Sequence, residues 1–124
     1  MPSLPPYAEQ NLYSKMRELK WSSTERAIAR RAFDRVLQQE LDAAIRSTKE
    51  MAVRIKQPHE LWELKHHLTE LRKAIDSQYV YKYSKLVPFF ADLVAEGKLD
   101  LQDLRGLSED KLRYIRRYAE SSAA

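Results

Sequence analysis

The sequence predicts an all-α fold, in which two long helices form an extended dimerisation stalk and a small helical head follows. The 124 residues include only two glycines, whereas strand-rich folds need glycine-bearing turns at short intervals. Helix-forming residues such as Ala, Leu, Glu, Lys and Arg fill most of the chain. Residues 25–57 contain neither glycine nor proline, which is room for a helix about 50 Å long.

The first twenty residues are predicted to form an N-terminal extension, with a short helix over residues 11–20. Ser22 and Glu25 then have the spacing of a capping box, in which each side chain accepts a hydrogen bond from the other residue's amide. The first long helix should run from this box to about Gln57. Pro58 suits the first turn of the next helix, where a missing amide proton leaves no hydrogen bond unmade.

The second long helix shows the clearest apolar periodicity in the chain. Its apolar residues follow alternating steps of three and four: Leu61, Leu64, Leu68, Leu71 and Ile75. Such a seam lies lengthwise along another helix. Two helices of this length expose more apolar surface than so short a chain can cover, so we expect a two-fold homodimer. Phe33, Leu37 and Leu41 of the first helix are expected to share its interface, and the dimerisation region to span residues 21–83.

Residues 84–124 are predicted to form the helical head. Ser84 is expected to cap its first helix, and Gly97 to end that helix in the left-handed conformation. Asp100 should cap a short helical turn, and Ser108 the last helix.

Composition and charge narrow the possible functions. The chain has no cysteine, which excludes disulfides and thiolate chemistry. No stretch approaches the ~18 consecutive apolar residues that cross a bilayer, and the opening residues do not resemble a signal peptide, so we expect a cytoplasmic protein without membrane contact. The net charge is +4, and residues 21–56 hold eight basic and five acidic side chains, a bias that could attract an acidic partner. Because carboxylates are interspersed, a basic nucleic-acid-binding dimer is the less favoured alternative.

Catalytic and metal-binding patterns are weak in this sequence. It contains no glycine-rich phosphate loop and no nucleophile–base motif, so neither an enzyme nor a cofactor is predicted. His59, Glu63, His66 and Glu70 are spaced to share one helix face, as metal ligands could be. An exposed charged face has the same pattern, so no metal site is predicted.

Several short motifs together resemble the fluorescence recovery protein family. In chain order they are Trp21-Ser22 with Glu25, Phe33 with Gln39-Glu40-Leu41, Leu61-Trp62-Glu63-Leu64, Arg72, Ile75-Asp76 with Tyr79, Phe90-Ala91-Asp92-Leu93, Glu96-Gly97, Asp110-Lys111 and Ile115. Each motif alone is weak, but all fall in register over about residues 21–117. The first twenty residues have no counterpart in the family.

The resemblance implies a homodimer that binds the photoactivated orange carotenoid protein and speeds its red-to-orange reversion, a step in photoprotection. Such a regulator needs no cofactor, because binding that favours one arrangement of a partner shifts the partner's equilibrium. The resemblance also places Arg72 and Trp62 in a functional patch near the dimer interface. Two alternatives remain: a different protein partner, and an Arg72 that only forms an ordinary ion pair with Glu70 or Asp76.

Four positions depart from the family pattern. Lys65 and His66 stand where the family has His-Asp, so an imidazole replaces a carboxylate that could pair with Arg72. Pro88 stands where the family exposes a phenylalanine, and Tyr114 where it has a lysine. The expected partner-binding residues are Arg72, Trp62, Lys65, His66, Phe89 and Tyr114.

Overall fold

The structure, a computed structural model, describes residues 19–123. Its elements are α1 (Ser23–Val53), α2 (Pro58–Gln78), α3 (Tyr83–Ala95), a short 3-10 helix (Leu101–Leu104) and α4 (Glu109–Ala123). This part of the chain forms no β-strand, which confirms the all-α prediction. The helix predicted over residues 11–20 falls almost wholly outside the described residues.

The first long helix begins at the predicted capping box. The Glu25 amide donates to Ser22 Oγ at 3.1 Å, and the Ser22 amide donates to Glu25 Oε1 at 3.1 Å. α1 ends at Val53, four residues before the predicted Gln57. The Arg54 amide bonds to the Met51 carbonyl and the Ile55 amide to the Ala52 carbonyl, both at 3.2 Å. These bonds reach three residues back rather than the four of an α-helix, and the helix ends there.

The second long helix begins at Pro58 as predicted. Gln57 is its N-cap residue, and the Gln57 amide donates to Glu60 Oε1 at 3.0 Å. Thus one backbone amide that precedes the helix is satisfied by a side chain of its first turn.

The third helix begins earlier than predicted. Its first residue is Tyr83 and its N-cap residue is Lys82, which makes no side-chain capping bond. Ser84 therefore lies inside the helix, and its predicted capping role is wrong. The Lys85 amide bonds instead to the Lys82 carbonyl at 2.8 Å, so backbone bonding alone opens this helix.

The third helix ends at glycine as predicted. Gly97 has φ +75°, the left-handed conformation that costs glycine little. The Gly97 amide bonds to the Val94 carbonyl at 3.1 Å, and the Lys98 amide to the Leu93 carbonyl at 2.9 Å. These two bonds form a Schellman motif, which satisfies carbonyls that a helix end otherwise leaves free.

Capping also defines the short 3-10 helix. Asp100 Oδ1 accepts from the Gln102 amide at 3.2 Å, and the Asp100 amide donates to Asp103 Oδ2 at 3.0 Å. The predicted cap at Asp100 is therefore confirmed. The last helix begins at Glu109, directly after Ser108.

The chain divides into two compact units. Residues 19–32 and 81–123 are termed the head unit, and residues 33–80 the hairpin unit. In the head unit, α3 packs against α4, and the largest fully buried side chains are Phe90, Leu86, Leu93, Leu104 and Ile115. The first turns of α1 thus belong with the C-terminal part of the chain.

The hairpin unit leaves much of its apolar surface uncovered. No residue of α2 is buried, whereas α1 buries Phe33 and Val36. The large apolar side chains that stay exposed in this unit are Leu41, Ile45, Val53, Leu61, Trp62 and Leu68. Contiguous exposed apolar surface is typical of interaction sites.

Candidate functional site

An open apolar groove lies in the hairpin unit and encloses about 660 Å³. Both helices contribute to its lining: Leu41, Ala44, Ile45 and Thr48 from α1, and Leu68, Leu71 and Ile75 from α2, all apolar except Thr48. The α1 residues follow steps of three, one and three, which place them on one helix face. The α2 residues belong to the predicted seam, so the sequence pattern and the groove coincide on that side.

The groove remains open to solvent. Ile45 is 52% exposed and Leu68 is 42% exposed, so each of these side chains has close to half its surface free. Burying apolar surface is favourable by about 25 cal/mol for each Å² removed from water. A partner surface that covered both side chains would therefore be stabilised on binding.

Charged and polar side chains border the groove. Gln38, Lys49, Arg72 and Asp76 line it together with the apolar residues. Arg72 Nε lies 3.6 Å from Asp76 Oδ2, and the two side chains are 86% and 70% exposed. Such a solvent-exposed i,i+4 pair contributes only ~0.3–0.5 kcal/mol, so the Arg72 guanidinium could exchange this partner for another at little cost.

The other partner-binding residues predicted on α2 lie on one exposed face. Trp62, Lys65 and His66 are spaced to be neighbours on a helix, and all three are exposed. Trp62 has 66% of its surface in solvent. Arg72 lies two turns beyond Lys65 on the same side of the helix, so the structure brings these four residues into one stripe.

The two partner-binding residues predicted in the head unit differ in accessibility. Tyr114 is half-buried, with part of its surface in solvent. Phe89 is only 6% exposed, and its ring centroid lies 5.5 Å from that of Phe90. α3 turns most of its apolar residues into the head core, so Phe89 is a core residue here, and its role in binding a partner stays a prediction.

The predicted dimer-interface residues also separate into two groups. Leu41, Leu68, Leu71 and Ile75 line the groove, while Leu61, Leu64 and Leu37 lie outside its lining with part of their surface in solvent. Phe33 is 4% exposed, and its ring meets that of Tyr79 edge-on at 5.8 Å. Its own chain covers most of the Phe33 side chain, and a place for Phe33 in a dimer interface stays a prediction.

A buried ion pair joins distant parts of the head unit, and the sequence patterns did not predict it. Lys111 Nζ donates to Glu25 Oε2 at 2.8 Å and to the Lys20 carbonyl at 2.7 Å. The Ser108 amide donates to the same Glu25 oxygen at 3.0 Å. Lys111 Nζ also lies 4.6 Å from the centre of the Trp21 ring, a cation–π contact.

The ion pair between Glu25 and Lys111 has a structural rather than a catalytic character. Burial alone would raise the pKa of Glu25, but the hydrogen bond from Lys111 and those from the Ser108 and Ser22 amides outweigh it. They lower the pKa of Glu25 from 4.5 to about 2. A carboxylate that accepts this many bonds stays ionised at neutral pH and is a poor general base. The pair therefore stabilises the head unit.

No metal centre is formed within residues 19–123. Neither His59, Glu63, His66 and Glu70 nor any other described group of three or more ligating side chains is arranged to hold an ion. Among the described helices, none combines the length and apolarity needed to cross a membrane.

Comparison with known proteins gives consistent matches over most of the chain. Residues 21–119 match the family described as photoprotection regulator fluorescence recovery protein. The chain is similar to the fluorescence recovery protein of Synechocystis sp., with 32% identity over 102 residues, covering 82% of this chain and 94% of that protein.

Solved structures agree. The chain is similar to the fluorescence recovery protein of Fremyella diplosiphon, with a TM-score of 0.76 and 37% identity over 82% of this chain and 99% of that one. The Synechocystis sp. PCC 6803 structure has the same TM-score and coverage at 32% identity.

Proposed function

The chain belongs to the fluorescence recovery protein family of photoprotection regulators, and from this membership we propose that it is a cytoplasmic, non-enzymatic homodimer that binds orange carotenoid protein. Binding would accelerate the return of that protein from its red, photoactivated state to its orange state. No cofactor is needed, because a binder that favours the arrangement leading back to the orange state lowers the barrier to it.

The observation that carries this proposal is the open apolar groove with Arg72 at its border. A two-fold dimer uses the same surface patch on both subunits, and the exposed Leu68 and Ile45 side chains supply such a patch on facing helices. The exposed stripe on α2 that contains Arg72, Trp62, Lys65 and His66 would then lie at the edge of the paired surfaces, accessible to a partner.

The dimer is tested by placing a charge in the groove. Leu68→Glu should convert the dimer to a monomer in sedimentation velocity at micromolar concentration, because two copies would bury a carboxylate in an apolar interface. Val53→Glu is the matched control, since Val53 is 84% exposed and does not line the groove. A wild-type monomer, or a Leu68→Glu dimer, would contradict this interface.

The regulatory activity is tested by following the red-to-orange decay of photoactivated orange carotenoid protein in the dark, with and without the purified chain. We expect faster decay with the wild type and none of this acceleration with Arg72→Glu. Arg46→Glu makes the same charge change at an exposed position outside the groove and should retain the activity. An intact wild-type dimer that leaves the decay unchanged would rule out this partner and favour a different protein partner for the same fold.

A further inference from the structure

The net charge of the chain is confined to one of its two units. Among the described residues, the head unit holds twelve Lys and Arg against eight Asp and Glu, while the hairpin unit holds eight of each. The excess of four in the head unit equals the net charge of the whole chain. The hairpin unit is therefore electrically neutral, and the head unit is basic.

The excess positive charge is exposed at the surface of the head unit. Many of its cations face solvent and form no ion pair with any described residue: Arg26, Arg31, Lys82, Lys85, Arg105, Arg116 and Arg117. The single acidic residue in residues 19–32 is Glu25, which is buried and held by Lys111. It therefore does not neutralise the arginines around it.

Two of these arginines border the same contact between α1 and the turn that precedes α4. Gly106 approaches Ile28 so closely that an added Cβ would lie 2.5 Å from Ile28 Cδ1. Arg105 directly precedes Gly106 in the chain, and Arg31 lies one helical turn beyond Ile28 on α1. Residues 26–33 and 104–108 contain four arginines and no acidic side chain, and the adjoining carboxylates, besides the Glu25 that is paired with Lys111, are Asp34, Asp103 and Glu109, so basic residues outnumber acidic ones around this contact.

We propose that this face of the head unit, centred on Arg31 and Arg105, is the docking surface for an acidic, carboxylate-bearing protein surface. The proposal rests on the proposed function as a protein-binding regulator and adds the chemistry of the partner and the place where it binds. Exposed arginines form directed hydrogen bonds to carboxylates. A cluster of one sign also raises the rate at which an oppositely charged partner associates.

A protein partner fits this surface better than a nucleic acid. Duplex DNA carries one negative charge for about every 1.7 Å of its axis, and binders follow it with an extended basic track. On the head unit, α4 interrupts such a track, because Glu109, Asp110 and Glu120 are exposed on the same helix as Arg116 and Arg117. A compact cluster of arginines suits a local patch of carboxylates.

The experiment measures binding of fluorescently labelled poly-L-glutamate to the full chain by anisotropy at low and high salt. We expect Arg31→Glu/Arg105→Glu to weaken this binding about tenfold, since it reverses two charges at the centre of the surface. The control, Arg46→Glu/Arg54→Glu, makes the same change in net charge on the hairpin unit and should bind like the wild type. Arg31→Gln/Arg105→Gln should give an intermediate loss, and circular dichroism verifies that each variant is folded.

Equal weakening by both charge-reversal pairs would show that only net charge matters and would overturn the proposal. So would tighter binding of duplex DNA than of poly-L-glutamate at matched charge concentration, or no binding of poly-L-glutamate. The same variants are then tested for acceleration of orange carotenoid protein reversion. Localised binding of poly-L-glutamate without that acceleration would refute the proposed partner and support this surface; acceleration unaffected by Arg31→Glu/Arg105→Glu would support the partner and refute this surface.

Discussion

Replacing Glu25 with glutamine should destabilise the head unit by about 3 kcal/mol at neutral pH. Burial by itself would raise the pKa of Glu25, but the bonds from Lys111 and from the Ser108 and Ser22 amides lower it from 4.5 to about 2. Each pKa unit corresponds to about 1.36 kcal/mol, so the native contacts of the ionised carboxylate contribute about 3 kcal/mol. Removing one member of a buried ion pair costs ~3–5 kcal/mol in other proteins, a range consistent with this value.

The pH dependence has a definite sign. Because the folded-state pKa of Glu25 is lowered, its contribution to stability is complete above about pH 4.5 and is lost as the pH falls toward 2. Urea unfolding followed by circular dichroism at neutral pH and near pH 3 measures this loss. Protein concentration is held constant, because dimer formation would add to the apparent stability. The wild type should lose more stability on acidification than Glu25→Gln does.

Two further variants complete the test. Glu120 is exposed on α4, so Glu120→Gln should stay within about 0.5 kcal/mol of the wild type. Adding Lys111→Met to Glu25→Gln should recover part of the loss, since it removes a buried ammonium left without its carboxylate. The reasoning fails if Glu25→Gln is as stable as the wild type at neutral pH, or if the two lose equal stability on acidification.

Other substitutions test single contacts. Gly106→Ala should lower the melting temperature more than Gly97→Ala, because φ is positive at both glycines but only at Gly106 would the new Cβ meet another side chain, Ile28; equal losses would contradict that contact. Ser22→Ala should cost about 1 kcal/mol in urea unfolding, through loss of the capping box, and an unchanged midpoint would refute this. Trp62→Ala should leave unfolding within about 0.5 kcal/mol of the wild type, since Trp62 is 66% exposed, but should slow the assisted reversion of orange carotenoid protein; a large loss of stability would show that Trp62 is structural.

Local chemistry made much of the fold predictable. The box at Ser22 and Glu25, the start at Pro58 and the left-handed Gly97 each depend on residues within one or two turns, and the structure shows all three. Ser84 failed as a cap because a backbone bond from the Lys85 amide to the Lys82 carbonyl opens the helix two residues earlier than predicted. Helix starts without a strong side-chain cap are set by packing, which sequence patterns do not show.

The groove was half predictable. The leucine seam on α2 gave Leu68, Leu71 and Ile75, whereas on the α1 side only Leu41 was predicted and Ile45 was missed. Its spacing is present in the sequence, but α1 carries apolar residues on more than one face, so periodicity alone does not show which face stays open. Phe33 illustrates the same limit, because the sequence pattern of an apolar residue is the same whether its own chain or a second copy covers it.

The Glu25–Lys111 pair was beyond sequence reasoning for a different reason. The two residues are 86 positions apart, and no local pattern links them. Glu25 had already been explained by its capping role, which uses one carboxylate oxygen; the second oxygen accepts from Lys111 and the Ser108 amide. A residue with a sufficient local role can therefore carry a long-range one that only the fold reveals.

The division of charge bears on how one small chain could bind both a copy of itself and a different protein. Two identical surfaces that carry a net charge repel each other, so self-association is favoured on the neutral hairpin unit and opposed on the basic head unit. Salt weakens contacts between exposed charges, since the screening length falls from about 10 Å at 0.1 M to about 3 Å at 1 M, but it does not weaken apolar burial. Raising the salt concentration should therefore leave the sedimenting dimer intact while it weakens binding of the acidic partner. A dimer that dissociates in high salt would show that charged contacts, and not the apolar groove, hold the two copies together.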